Sequence, residues 1–165
     1  GPVLPVPQVH LPQFRIGVEG EPLGDVDGPR GGDEINIPQK GKNYGWPLAT
    51  WGINYSGFKI PEAKGEIVAG TEQPVFYWKD SPAVSGMAFY NSDKFPQWQQ
   101  KLFIGALKDK DVIVMSVNGD KVTEDGRILT DRGQRIRDVR TGPDGYLYVL
   151  TDESSGELLK VSPRN

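Results

Sequence analysis

The residues of this chain best placed for chemistry are cations, not nucleophiles. "GQRIRDVR" sets Arg135 and Arg137 on either side of Ile136. In a strand, alternate side chains leave the same face, so both guanidinium forks would point one way. Two forks on one face suit a polyanion, because each can pair bidentately with a carboxylate. The competing reading is a solvated strand face with Asp138 as the neighbouring counter-charge. Lys108, in "GALKDKD", leaves an apolar run and enters a charged turn, where most lysines are simply solvated. Acid–base chemistry is poorly provided for. Histidine occurs once, as His10, so a Ser-His-Asp triad would have to use it and a two-His zinc site is excluded within the chain. It sits in "PVLPVPQVHLPQF", which reads as an extended arm bearing an incidental histidine. Cysteine is absent, which excludes disulfides and thiolate metal sites. The acids Asp33 and Glu34 follow a glycine pair in "GPRGGDEINIPQKGKNYGWP", but not with the spacing of a twelve-residue calcium loop, so they read as turn-closing groups. In the same stretch Tyr44 and Trp46 are expected to pack under the loop, with Asn43 capping a turn.

The elements that would position these groups are short strands. The 165 residues fit one ordinary domain, and six Phe, six Tyr and four Trp can build its core. Twenty-one Gly and fourteen Pro without a strict period favour many turns. A net charge of -3 and a pI near 5.2 argue against a nucleic-acid surface. No apolar run approaches the roughly 18 residues that span a bilayer. No signal peptide is legible, as expected of a cytosolic, processed or engineered chain. From Gly31 on, apolar runs recur between turn signals: "EINI", "PVFYW", "GMAFY", "KLFIGAL", "DVIVMSV", "RILTD", "IRDVR", "YLYVLTD" and "ELLKVS". "VNGD" and "GPDG" between them are hairpin punctuation. No helical period persists over eleven residues, so the chain reads as antiparallel β.

There is also an internal repeat. The segment from Gly86 to Val117 can be laid over that from Ile136 to Val161, with Phe89 and Val139 at equivalent places fifty residues apart. A period of about 40–50 residues with about four strands per unit is that of a propeller blade. "KVTEDGRILT" would be the fourth strand of the first unit. The second unit lacks one, and the arm "QVHLPQFRIGV" is the candidate to supply it.

"GPRGGDEINIPQKGKNYGWP", "SGMAFY", "FIGALKD", "QRIRDVRTGPDGYLYVLTDE" and "GELLKVSP", in this order, resemble the C-terminal half of the soluble quinoprotein glucose/sorbosone (aldose sugar) dehydrogenases. These are six-bladed β-propellers that use pyrroloquinoline quinone (PQQ) and calcium. The resemblance covers residues 28–165. Residues 1–27 do not share it and read as a recombined or engineered segment. The implied fold is all-β: about three blades of four-stranded antiparallel sheet. The resemblance implies that Lys108, Arg135 and Arg137 bind the quinone; it aligns Ser81 and Trp78 with a segment that lines the cofactor, with a plain loop position for Ser81 and a core position for Trp78 as the equal alternative. It also implies that the carbonyls of Gly28 and Pro29 ligate calcium, whose preference is for hard oxygen donors. Glycine permits close approach, and proline has no N–H to repel the ion.

The departures from the family pattern are equally informative. Asp27 stands where the family carries a polar Gln or His against the quinone, and a carboxylate there would repel an anionic cofactor. The family's catalytic His and its Arg-Asn clamp belong to the N-terminal half and have no counterpart here. About half of a propeller is present, and its open faces are expected to associate with another copy or with a missing N-terminal half. Two readings follow. One is the C-terminal part of a periplasmic aldose dehydrogenase, oxidising aldoses at C1 to lactones and inactive by itself. The other is a non-catalytic β-propeller fragment or binding module.

Overall fold

Short apolar runs between Gly, Pro, Asn and Asp turn signals form short β-strands in the computed structural model, which describes residues 15–17, 31–52, 59 and 61–163. Among the described residues there is no α-helix, only two single 3₁₀ turns. No described helix is long and apolar enough to cross a membrane. The strands are β1 (Arg15–Gly17), β2 (Glu34–Asn36), β3 (Phe76–Tyr77), β4 (Val84–Tyr90), β5 (Lys101–Ala106), β6 (Val112–Asn118), β7 (Lys121–Ile128), β8 (Ile136–Thr141), β9 (Leu147–Thr151) and β10 (Leu158–Val161). They make three antiparallel sheets in the orders β1-β2-β3, β4-β5-β6-β7 and β8-β9-β10.

The sheets stack face to face with two apolar layers between them. Ile35 and Trp78 of the first sheet meet Val84, Leu102, Ile104, Ile113 and Met115 of the second. The opposite face of the second sheet sends Ala88, Tyr90, Phe103, Val112 and Val114 against Ile136, Val139, Leu147 and Val149 of the third. Burial on both faces explains the unbroken apolar runs "KLFIGAL" and "DVIVMSV": alternate residues serve different cores. Leu102, Phe103 and Ile104 are all fully enclosed. Truncating any one to alanine would cost about 2–5 kcal/mol in lost transfer energy and cavity.

The repeat is visible in this stacking. β4 and β8 are the first strands of successive sheets and lie against each other. Each breaks register with its partner near its start, β4 between Val84 and Met87 and β8 between Ile136 and Asp138. Phe89 packs on the layer before its sheet, and Val139 faces the layer before its own, as equivalent positions should. "KVTEDGRILT" supplies the fourth strand of the middle sheet, as read from sequence. The result is part of an open β-propeller, with one blade of four strands and two of three.

Three expectations need correction. The arm does not complete the last sheet: Arg15–Gly17 pairs antiparallel with Glu34–Asn36, and β10 is the outer strand of its own sheet. Trp46 does not pack under its loop but is 49% exposed. Asp138 is not the counter-charge of Arg135 and Arg137; its side chain turns along the strand to Arg140, at 3.0 Å. Asn43 does cap its turn, accepting from Gly45 N at 2.9 Å, and the Tyr44 hydroxyl bridges the same loop to the Ile37 carbonyl at 2.8 Å.

Candidate functional site

Antiparallel pairing brings the start of β4, the end of β5, the start of β8 and the end of β9 to one end of the stacked sheets. Ser85 Oγ donates to the Ile136 carbonyl at 2.7 Å. A Cβ on Gly105 would stand 2.7 Å from Ile136 Cγ2, so only glycine lets β5 and β8 approach this closely. Asp152 N donates to the Arg135 carbonyl at 2.7 Å, closing the same end of the third sheet. Ser81, Lys108, Arg135 and Arg137, four of the six residues singled out from sequence, share this end. Gly28 and Pro29 lie outside the described residues, as do Asp27 and His10.

Arg135 and Arg137 do point one way, as strand alternation requires, and their common partner is Asp152. Arg135 reaches it through Nε and Nη2, both at 3.1 Å. Arg137 reaches it through Nε at 3.2 Å and Nη2 at 3.0 Å. Among the described residues Nη1 of neither fork has a partner, and both side chains are about half exposed. Slight burial opposes ionisation of Asp152, but the two arginines outweigh it and hold the carboxyl below its ordinary value. Glu153 Oε1 also accepts from Arg135 N at 3.0 Å, so two cations share this corner with two carboxylates.

Lys108 is held in a different way. Its turn is tied to the turn before β4 by Leu107 N to the Ala83 carbonyl (2.8 Å) and Lys108 N to the Pro82 carbonyl (3.0 Å). Its ammonium donates to the Ser81 carbonyl at 2.8 Å. The Ser81 hydroxyl donates in turn to Asp33 Oδ2, which also accepts from Val84 N at 3.1 Å. Asp33 is only 4% exposed. Burial pushes its carboxyl up from the ordinary value, while the bonds from Ser81, Val84 and Ala83 and the charge of Lys108 pull the other way. On the far side of the Lys108 turn, Arg127 clasps Asp109 at 2.7 Å, Asp111 at 3.2 Å and Glu124 at 2.7 Å. Of the two readings of Trp78, ligand contact or core, the structure shows core, and its Nε1 donates to Glu124 at 3.1 Å. Beside the first sheet Trp51 stacks on Tyr77 with ring centroids 4.1 Å apart.

Sequence reading missed Asp152 and the Arg127 clasp, and treated Asp33 only as a turn group. Asp152 had a legible signal: it follows directly on the strand that pairs with "IRDVR". Arg127 had none, because two of its three partners, Asp109 and Asp111, come from the turn between β5 and β6 and only Glu124 lies on its own strand. No group of three or more metal-ligating side chains occurs among the described residues.

The Glucose / Sorbosone dehydrogenase family profile matches residues 24–160, most of the chain. The chain belongs to the glucose/sorbosone dehydrogenase family. Two solved glucose dehydrogenases superpose on it with TM-scores of 0.83 and 0.80, at 60% and 55% identity. Each match covers 92% of this chain, and 41% and 40% of the solved chains. The PQQ-bound aldose sugar dehydrogenase of Streptomyces coelicolor is 22% identical with a TM-score of 0.55, over 82% of this chain and 39% of that one, a likeness of fold. An uncharacterized protein of Synechocystis sp. is 41% identical over 134 residues, 81% of this chain and 32% of the relative. The chain thus spans about a third of its curated relative and about two-fifths of these solved family structures.

Proposed function

We propose that these residues are the cofactor-holding part of a PQQ- and calcium-dependent aldose sugar dehydrogenase that, as a whole protein, oxidises aldoses at C1 to lactones. The observation that supports this most is the gathering of Lys108, Arg135 and Arg137 at one end of adjacent sheets, in a chain of this family. The donor set fits the group. PQQ carries three carboxylates, and one ammonium with two guanidinium forks offers a cationic donor to each, with Asp152 and Glu153 as the local counter-charges. The unpartnered Nη1 side of each fork gives Arg135 and Arg137 donors to offer without releasing Asp152. Lys108 adds a point charge on a fixed turn, and Ser81 orients that turn. When bound, the quinone supplies the two-electron acceptor for the hydride leaving sugar C1. Calcium belongs to the proposal through the carbonyls of Gly28 and Pro29, which lie outside the described residues. The parent protein is placed in the periplasm.

These 165 residues alone bind quinone without turning over sugar. Removing the C1 hydroxyl proton needs a base within about 3 Å, worth roughly 10²–10⁴-fold. The one histidine, His10, lies in no motif that matches the family's base, and a calcium ion beside Asp27 would stabilise its carboxylate and weaken it as a base. A companion N-terminal half is the natural partner to cover the open sheet faces and supply the base. The test is a quinone titration with calcium, followed by glucose and a redox dye. Weak quinone binding without steady dye reduction is expected, with activity recovered on adding the N-terminal half in trans. Absence of quinone binding would refute the cofactor assignment, and steady dye reduction by the chain alone would refute its inactivity. Calorimetry with quinone present but no calcium uptake would remove the metal from the proposal.

A further inference from the structure

Asp33 is a buried carboxylate that the cofactor wall does not itself use. It stands at the entry to β2 in the first sheet, yet both its partners belong to the turn leading into β4 of the second: the Ser81 hydroxyl and Val84 N at 3.1 Å. Ala83 N donates to the same Ser81 Oγ at 2.9 Å, and Ala83 itself has a positive φ of 54°. A non-glycine residue in the left-handed region is strained and persists only where neighbours hold it. Two turns are then locked together, because Lys108 N and Asp109 N both donate to Pro82 O, at 3.0 and 3.4 Å. Finally the Lys108 ammonium donates to the carbonyl of Ser81. Carboxylate, hydroxyl, turn and ammonium make one continuous chain of bonds running from one sheet to the next.

The geometry points to Asp33 as the positioning residue of Lys108, acting through Ser81 to fix where the ammonium meets an anionic ligand. This rests on Lys108 as a cofactor-binding residue only for its consequence, not for the coupling itself. Asp33 touches no ligand. It sets the orientation of Ser81, whose carbonyl faces Lys108 only while its hydroxyl is held. The groups around it are Ser81, the amides of Ala83 and Val84, and the charge of Lys108; its bonded partners all belong to the turn, and Lys108 acts on it through charge without a direct bond.

The test reads Lys108 directly. Limited acylation of the intact chain with an amine-reactive acetyl ester, followed by peptide mass spectrometry, compares Lys108 with the exposed Lys40 and Lys121. In the wild-type chain Lys108 should label more slowly than both. Ser81→Ala keeps the carbonyl and removes both the link to Asp33 and the bond from Ala83 N; Asp33→Ala removes the anchor and leaves the Ala83 bond in place. Each should raise Lys108 labelling roughly three- to tenfold, the worth of one lost hydrogen bond, with Lys40 and Lys121 unchanged. The double variant should equal the larger single effect. A merely structural role would instead raise labelling at all lysines, or lower the melting temperature with Lys108 unchanged, and either result overturns the inference. So does fast Lys108 labelling in the wild type. A PQQ titration then separates the two ideas. Faster labelling with weaker PQQ binding supports both. Faster labelling with unaltered PQQ affinity, in Lys108→Ala as well, keeps the coupling and removes Lys108 from the cofactor site.

Discussion

Replacing Arg127 with methionine should destabilise the chain strongly at neutral pH and weakly in mild acid. Arg127 is a quarter exposed and holds three carboxylates, of which Asp111 is nearly enclosed with 6% of its side chain accessible. Asp109 and Glu124 are about a third accessible. Breaking a buried pair by deleting the cation typically costs about 3–5 kcal/mol, because the anion is left uncompensated. Partial exposure of Arg127 lowers this, and the two outer acids contribute under about 1 kcal/mol each, so a loss of about 2–3 kcal/mol is expected at pH 7. For a chain of this size that is a fall of roughly 5–10 °C in melting temperature. Burial raises Asp111 above its ordinary 3.8, opposed by the bond from Arg127. Without Arg127 the folded value rises further. A carboxyl raised in the folded state contributes stability that is present below its unfolded value and lost as pH rises through the folded one. The variant should therefore recover much of its deficit between pH 7 and pH 4, as the raised Asp111 carboxyl takes up a proton. Urea unfolding of both proteins at pH 7.0 and 4.0 measures this. An equal deficit at the two pH values, or one below about 0.5 kcal/mol at pH 7, would refute the assignment of Arg127 as the counter-charge of a buried acid.

Gly86→Ala should cost about 1–3 kcal/mol by overpacking, since a Cβ there would come within 2.6 Å of Asp138 Cα where β4 and β8 approach; a urea midpoint within error of wild type would show that the strands can part freely. Arg135→Ala should weaken PQQ binding roughly three- to tenfold, a charge-assisted hydrogen bond discounted for exposure, measured by fluorescence titration at low and high salt; unchanged affinity would remove Arg135 from the cofactor wall. Asp144, bonded by Lys160 at 2.7 Å and the Tyr148 hydroxyl at 2.9 Å, is held at about 2. Its contribution is present above its ordinary value and lost as pH falls through the folded one, so its carboxyl carbon should titrate by NMR well below the ordinary aspartate value of 3.8 and move upward in Lys160→Ala.

Much of this protein is legible in its chain of residues. Turn-punctuated apolar runs specify antiparallel strands because a pleated surface needs no long-range information to be recognised, and the fifty-residue repeat names the blade. The alternation Arg-Ile-Arg places both guanidinium groups on one face by geometry alone, since the period of a strand is two. Unbroken runs such as "KLFIGAL" hide which core each residue serves, because a strand covered on both faces loses its alternation. What only the folded chain decided is pairing between distant residues. Arg15–Gly17 joined the first sheet rather than the last, since extended chain can pair with any open edge and sequence does not say which edge is near. Asp152, not Asp138, became the partner of the arginines, because antiparallel pairing carries the end of β9 to the start of β8 while Asp138 lies at a register break. Asp33 and Ser81, forty-eight residues apart, meet only where two sheets abut. A buried acid announces nothing by itself in sequence; its meaning comes from the donors that tertiary packing brings to it.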